Sequence, residues 1–360
     1  MEILDRSSKT GTNKLGLLLT LLDLAPTLDR DDPSITRPTM AERYLEIHWE
    51  HARPYAGAGG ELTLRQSSVS KRRNDGTTAD DTTVMQEIHR LRKLLADRGC
   101  GNLRDKPLDV VRHSAEGSPW QQEWAEEFET ALVKVRATLL KNPVDKLQNL
   151  PGDPEPFLYN VTLDESGLTL LPGVAESLTR FAGVLRPLVE FRFAQTVARI
   201  NRITQPVDDV YSHLFGRDRI MPPSSMRRRL VQLQGGRCIF SGDSLPTSGG
   251  SLDHVLPWSR VHLSQIENFL MTTSSVNSKK RDSLLAPAAL ERWLDHVHTK
   301  SDEIRQCADD HSWPTGIDSV RRVASRIYEV LDTSTGVWDY EHGIRPLGPE
   351  GKGEVLALLR

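Results

Sequence analysis

From Gly250 to Arg281 the chain reads GSLDHVLPWSRVHLSQIENFLMTTSSVNSKKR, and no other run limits the local fold as tightly. Neighbouring residues on a strand point to opposite sides. Asp253 and His254 can therefore serve one site only at a strand end where the backbone bends, and Pro257 and the loop to Gln265 supply that bend. Asn268-Phe269-Leu270-Met271 then reads as the returning strand. Thr273, Ser274 and Ser275 are good helix N-caps, which puts Asn277 in the first turn of a following helix, with Lys279 and Lys280 just beyond it. The expected unit is strand, loop, strand, helix.

The polar residues spaced along this unit suit phosphodiester hydrolysis. That reaction needs an activated water and stabilisation of negative charge on the phosphate oxygens. An imidazole titrates near neutrality, so His254 is the candidate general base. A hard divalent cation takes oxygen ligands and fills its remaining positions with water and phosphate. Asp253 and the side-chain carbonyl of Asn277 offer two such oxygens. Charge points the same way. The 360-residue chain carries a net charge of -3, which excludes a uniformly basic DNA-coating protein. Yet from Arg227 to Arg281 eight Lys/Arg face three acids, a local +5 that leaves about -8 for the remainder. A basic island of this kind is what a phosphate-binding face needs. Arg227, Arg228, Arg229, Arg237, Arg260, Lys279 and Lys280 are its candidate nucleic-acid contacts.

Asp253-His254, Pro257, Asn268, Asn277 and the lysine after it, in this order, resemble the HNH or ββα-metal endonucleases. The resemblance covers about 60 of 360 residues. It implies a Mg²⁺- or Mn²⁺-dependent nuclease acting on DNA and leaving 5′-phosphate and 3′-hydroxyl ends. In that family His254 would be the base, Asp253 and Asn277 the metal ligands, and Asn268 the brace that orients His254. Asn277 in place of a final histidine is a variant also found in the HNH domains of RNA-guided CRISPR effectors, and an amide oxygen favours hard metals. Many members also bind a structural zinc through two Cys-x-x-Cys knuckles. Here those positions are Cys238, Ser241, Thr273 and Val276, so no structural zinc is expected. Packing by Ile239, Phe240, Leu252, Leu256, Phe269 and Leu284 is expected to hold the fold instead.

Around this core the expectation is an α+β, mostly α-helical protein. Apolar periodicity predicts helices over 15–25, 39–55, 84–95, 118–140 and 174–203, the last kinked at Pro187, and again over 286–298, 317–331 and 351–359. Residues 1–115 read as a helical or winged-helix-like domain choosing the target or partner, with a Gly/Ser/Thr-rich insert carrying Arg65 and Lys71-Arg72-Arg73 as its wing. Residues 116–225 read as a helical middle region and linker, 226–290 as the nuclease core, and 291–360 as a C-terminal helical segment. Leucine-rich flanking helices are similar to those of bacterial HNH proteins of restriction or phage defence. A nuclease effector released by a partner or signal, and a catalytically silent DNA-binding scaffold, are the competing readings. A protein partner or a homo-oligomer is compatible with all three. His48 and His51 are read as residues of packing and solvent contact rather than metal ligands, and Cys238 as a small buried apolar one. The chain has no apolar run long enough to span a membrane. Its start lacks the apolar core of a secretory signal, so a cytoplasmic location is expected.

Overall fold

The computed structural model describes residues 11–57, 60–69, 71–72, 78–79, 81–149, 155–162, 166–216, 221–246 and 250–360, with backbone only at 71–72 and 78–79. It is a mixed α+β protein in which helix predominates over small sheets. Two compact units are present. The first holds the residues before 179 together with 184–219, and the second holds 179–183 together with 220–360. The four segments expected from the sequence thus group into two. Among the described residues no helix is long and apolar enough to cross a membrane.

In the first unit the helices are α1 (Asn13–Leu24), α2 (Arg37–Trp49), α3 (Thr83–Asp97), α4 (Leu108–Ala115), α5 (Gln121–Leu139), most of α6 (Val174–Ile200) and α7 (Val207–Phe215). α6 runs through Pro187 as one element. The strands are β1 (Ser34–Thr36), β2 (Pro54–Gly57), β3 (Gly60–Thr63), β4 (Lys71–Arg72), β5 (Thr78–Ala79), β6 (Tyr159–Val161) and β7 (Gly167–Leu170). β2–β3 and β4–β5 form two-stranded ladders in the stretch where a wing was expected, and Arg73 lies outside the described residues. The three-stranded sheet β1-β7-β6 was not anticipated, because three- and four-residue strands give too little alternation to be seen.

α1 is apolar on nearly every side and is buried from Leu15 to Leu24. It meets α2 closely at Gly16, where an added Cβ would fall 2.6 Å from His48 Cε1 and 2.9 Å from Tyr44 Cε2. The His48 ring cannot easily yield, because its Nδ1 bonds Tyr44 O at 2.7 Å and the ring stacks on Tyr44. His51 is equally enclosed, against Phe193 and Phe215. Both histidines pack, but the solvent contact expected from the sequence is absent, because both rings are enclosed. The one acid of α1, Asp23, is buried between Arg43 and Arg186.

In the second unit α8 (Ser224–Leu233) precedes the hairpin of β8 (Ser251–His254) and β9 (Phe269–Thr272), which is followed directly by α9 (Ser274–Lys280). β10 (Leu284–Leu285), β11 (Gly336–Asp339) and β12 (Gly343–Pro346) make a second small sheet. α10 (Pro287–Thr299), α11 (Ser301–Asp310), α12 (Ile317–Val330) and α13 (Gly348–Leu359) complete the unit.

Gly16→Ala should cost about 1–3 kcal/mol through overpacking against the fixed His48 ring, read as a lower urea midpoint. Burial pushes His48 from 6.5 down to about 4. Keeping it neutral therefore contributes stability that is complete above about pH 6.5 and is lost as pH falls toward 4. In an NMR titration its ring resonances should stay fixed between pH 7 and 5.

Candidate active site

β8 and β9 pair antiparallel with Asp253 opposite Leu270 and His254 opposite Phe269, so the two polar residues are the last of their strand. Asp253 is buried and His254 is half-buried. The chain then leaves the hairpin, and its route is set by Asn268, which has no exposed surface. Asn268 Oδ1 accepts from Leu256 N at 2.8 Å, while Nδ2 donates to the carbonyls of Leu256 and Leu263 at 3.4 and 3.3 Å. Its backbone oxygen takes Val255 N at 2.9 Å. One side chain thus satisfies three buried backbone groups of the loop that follows His254, as a brace must.

Further contacts fix the far side of the loop. Glu267 is buried and accepts from Thr315 Oγ1 at 2.5 Å and from Gly316 N at 3.0 Å. The indole nitrogens of Trp293 and Trp313 donate to Glu267 O and Ser264 O at 2.9 and 2.7 Å. On the outer edge of β9, the Gln234 amide copies a neighbouring strand, accepting from Met271 N and donating to Met271 O, both at 2.8 Å. None of these four side chains carried a sequence signal, since each acts on backbone distant in the chain.

α9 closes the unit. Thr273 caps it, its hydroxyl accepting from Val276 N at 3.2 Å, as the sequence predicts. Asn277 is the fourth residue of this seven-residue helix and is half-buried. It lies three residues before Lys280, hence toward the same side. Lys280 itself requires a correction. Its side chain has no exposed surface, and Nζ lies 3.0 Å from Asp253 Oδ1 and 2.8 Å from His254 O. It neutralises the candidate metal ligand and cannot also be a solvent-facing phosphate contact. Lys279, one residue earlier, is exposed.

The His254 ring stands edge-on to Phe269, with centroids 5.1 Å apart at 89°, and is tilted against Trp258 at 5.7 Å. Trp258 in turn stacks on His262 at 3.9 Å and 12°. The sequence reading missed this aromatic wall. The only available signal was two aromatic rings four residues apart, immediately after the Asp-His pair.

The remaining basic candidates are dispersed. Arg228 and Arg229 are exposed on α8, and Arg227 is half-buried. The opposite face of α8 buries Met226, Leu230 and Leu233. Ser225 ties this helix to α11 through His311 Nε2 at 3.1 Å. Arg237 is exposed and spans its own turn, donating to Gly242 O at 2.9 Å. Arg260 is half-buried in the loop.

At the four knuckle positions only Cys238 is a metal-binding type, and it is buried. Ser241 stands in the turn, Thr273 caps α9, and Val276 is 1% exposed in the core. The expected packing set is buried at Phe240, Leu256, Phe269 and Leu284, whereas Ile239 and Leu252 are only half-buried. Among the described residues no group of three or more His, Cys, Asp and Glu could hold a metal. The donors present, one carboxylate and one amide, fit a hard cation that completes its shell with water and substrate oxygens. Comparison with protein-family models, curated proteins and solved structures found no match for this chain.

Lys280→Met should leave the Asp253 carboxylate buried without its counter-charge and cost about 3–5 kcal/mol. Adding Asp253→Asn should recover much of that loss. Urea unfolding of the two single variants and the double variant measures the coupling.

Proposed function

We propose that the second unit is an HNH-type endonuclease that hydrolyses DNA phosphodiester bonds with Mg²⁺ or Mn²⁺. The observation that carries this reading is the ββα unit itself. It ends β8 on Asp253-His254, braces the exit loop with Asn268, and sets Asn277 and Lys280 toward one side of the helix that returns to Asp253.

In this mechanism His254 takes the proton of the attacking water, which a neutral imidazole does best near neutral pH. Phe269 and Trp258 hold its ring from two sides. Asn268 keeps the loop from relaxing away from the strand end. Asp253 and Asn277 would hold the cation, which when bound stabilises charge on the phosphate and lowers the pKa of water. Lys280 sets its ammonium against the Asp253 carboxylate and at the same time donates to the carbonyl of His254. Lys279, Arg228, Arg229 and Arg237, all exposed, are the residues available to contact backbone phosphates, which position the substrate without reading its sequence. The first unit, with its two short ladders in the insert, would select the target in a restriction or phage-defence role.

The test is incubation of the purified protein with plasmid DNA in Mg²⁺ or EDTA. Cleavage in Mg²⁺ alone is expected, and DNA binding without cleavage would favour the silent-scaffold reading. His254→Ala should lose about 10²–10⁴ in rate while keeping its urea midpoint. A near-normal rate would remove His254 from the mechanism. Asn277→Ala should raise the Mg²⁺ concentration needed for half-maximal cleavage, and Asn277→Asp, which keeps an oxygen there, should not.

A further inference from the structure

Arg260 is a half-buried basic residue of the second unit. It lies in the loop after His254, in a turn closed by its own N–H to Pro257 O at 2.9 Å. Its side chain runs over Gly183, where an added Cβ would sit 3.7 Å from both Arg260 Cγ and Cζ. Nη1 is enclosed and makes no hydrogen bond among the described residues. The charges that face it are few. The Tyr328 hydroxyl is already committed to Leu285 O at 2.6 Å, and Asp282 is an exposed residue on the next segment. Burial is the first cause holding this guanidinium below the usual arginine range.

Buried cations are ordinarily paired, because desolvation without a counter-charge is costly. An arginine cannot escape that cost by losing its proton near neutral pH. A guanidinium held in this state is poised for an anion, and its planar fork matches a phosphate. The residue as a whole is half-buried rather than sealed in the core. We infer that Arg260 is a phosphate-binding residue whose counter-charge is supplied by ligand, a backbone phosphate of the nucleic acid that enters beside the His254 loop. The carrier of that phosphate rests on the nuclease reading. The anion site itself rests on a half-buried guanidinium whose Nη1 is enclosed and makes no hydrogen bond among the described residues.

Two kinds of variant test this, Arg260→Met, which keeps an unbranched apolar stem, and Arg260→Gln as a neutral polar control. Thermal unfolding is followed in inorganic phosphate and in chloride at matched ionic strength. Without phosphate, Arg260→Met should melt no lower than the wild type, because removing the buried charge removes its desolvation cost. Phosphate should raise the wild-type midpoint over the chloride control by more than the general stabilisation by an excluded salt that it gives both variants. Binding to a DNA duplex, measured in EDTA to prevent cleavage, should weaken by about 10- to 100-fold. The slope of log K against log salt should fall by about 0.9, one phosphate contact.

If Arg260 merely packs the loop, Arg260→Met melts lower, phosphate acts equally on variant and wild type, and DNA affinity is unchanged. That result overturns the inference. If the wild type neither cuts nor binds DNA but shows the Arg260-dependent response to inorganic phosphate, the nuclease reading fails. The anion site then stands, with free phosphate or a small phosphorylated ligand as its occupant.

Discussion

The ion pair between Lys280 and Asp253 is the contact on which the candidate site depends. An ammonium with no exposed surface has given up its hydration, which is tolerable only because Asp253 Oδ1 and the His254 carbonyl both receive it. The elements it joins are weak by themselves. A seven-residue helix is far below the length at which helices persist alone, and an isolated two-stranded hairpin is marginal in water. Tying the last residue of α9 to the last two residues of β8 turns two marginal pieces into one unit. The same contact puts the Asn277 side of the helix toward the Asp-His strand end.

Around this tie the loop from Val255 to Glu267 is held almost entirely through its backbone. Asn268, Glu267, Trp293 and Trp313 each satisfy main-chain groups or are satisfied by them. A loop fixed in this way holds the strand end at which the candidate base stands. The His254 ring is held by aromatic contacts. The helices after the hairpin are therefore part of the site's support, since Trp293 belongs to α10 and Trp313 to the turn before α12.

Much of this was legible in the chain because it is local. Strand, loop, strand and helix fall in the predicted order, and Thr273 caps α9 as its chemistry suggested. Asn268, the position that the family resemblance gave as a brace, hydrogen-bonds buried backbone groups of the loop after His254. α1, predicted as a helix over 15–25, is apolar on nearly every side and is buried. What could not be read were pairings between distant segments. The β1-β7-β6 sheet joins strands more than a hundred residues apart, and Gln234 completes the edge of β9 from a separate helix end. Neither leaves a periodic trace.

By itself the sequence determined which chemical groups stand near the strand end, and in what order, because spacing along strands and helices is fixed by backbone geometry. It did not determine which of several like charges does which work. Lys279 and Lys280 are adjacent and of identical type, yet consecutive residues on a helix point about 100° apart. Packing α9 against the hairpin sends Lys280 inward to a carboxylate and leaves Lys279 in solvent. Likewise Arg260 is, in sequence, one basic residue among eight. Only the approach of Gly183 and the enclosure of Nη1 set it apart. Burial and partner are properties of the assembled structure, because they depend on which distant surfaces exclude water.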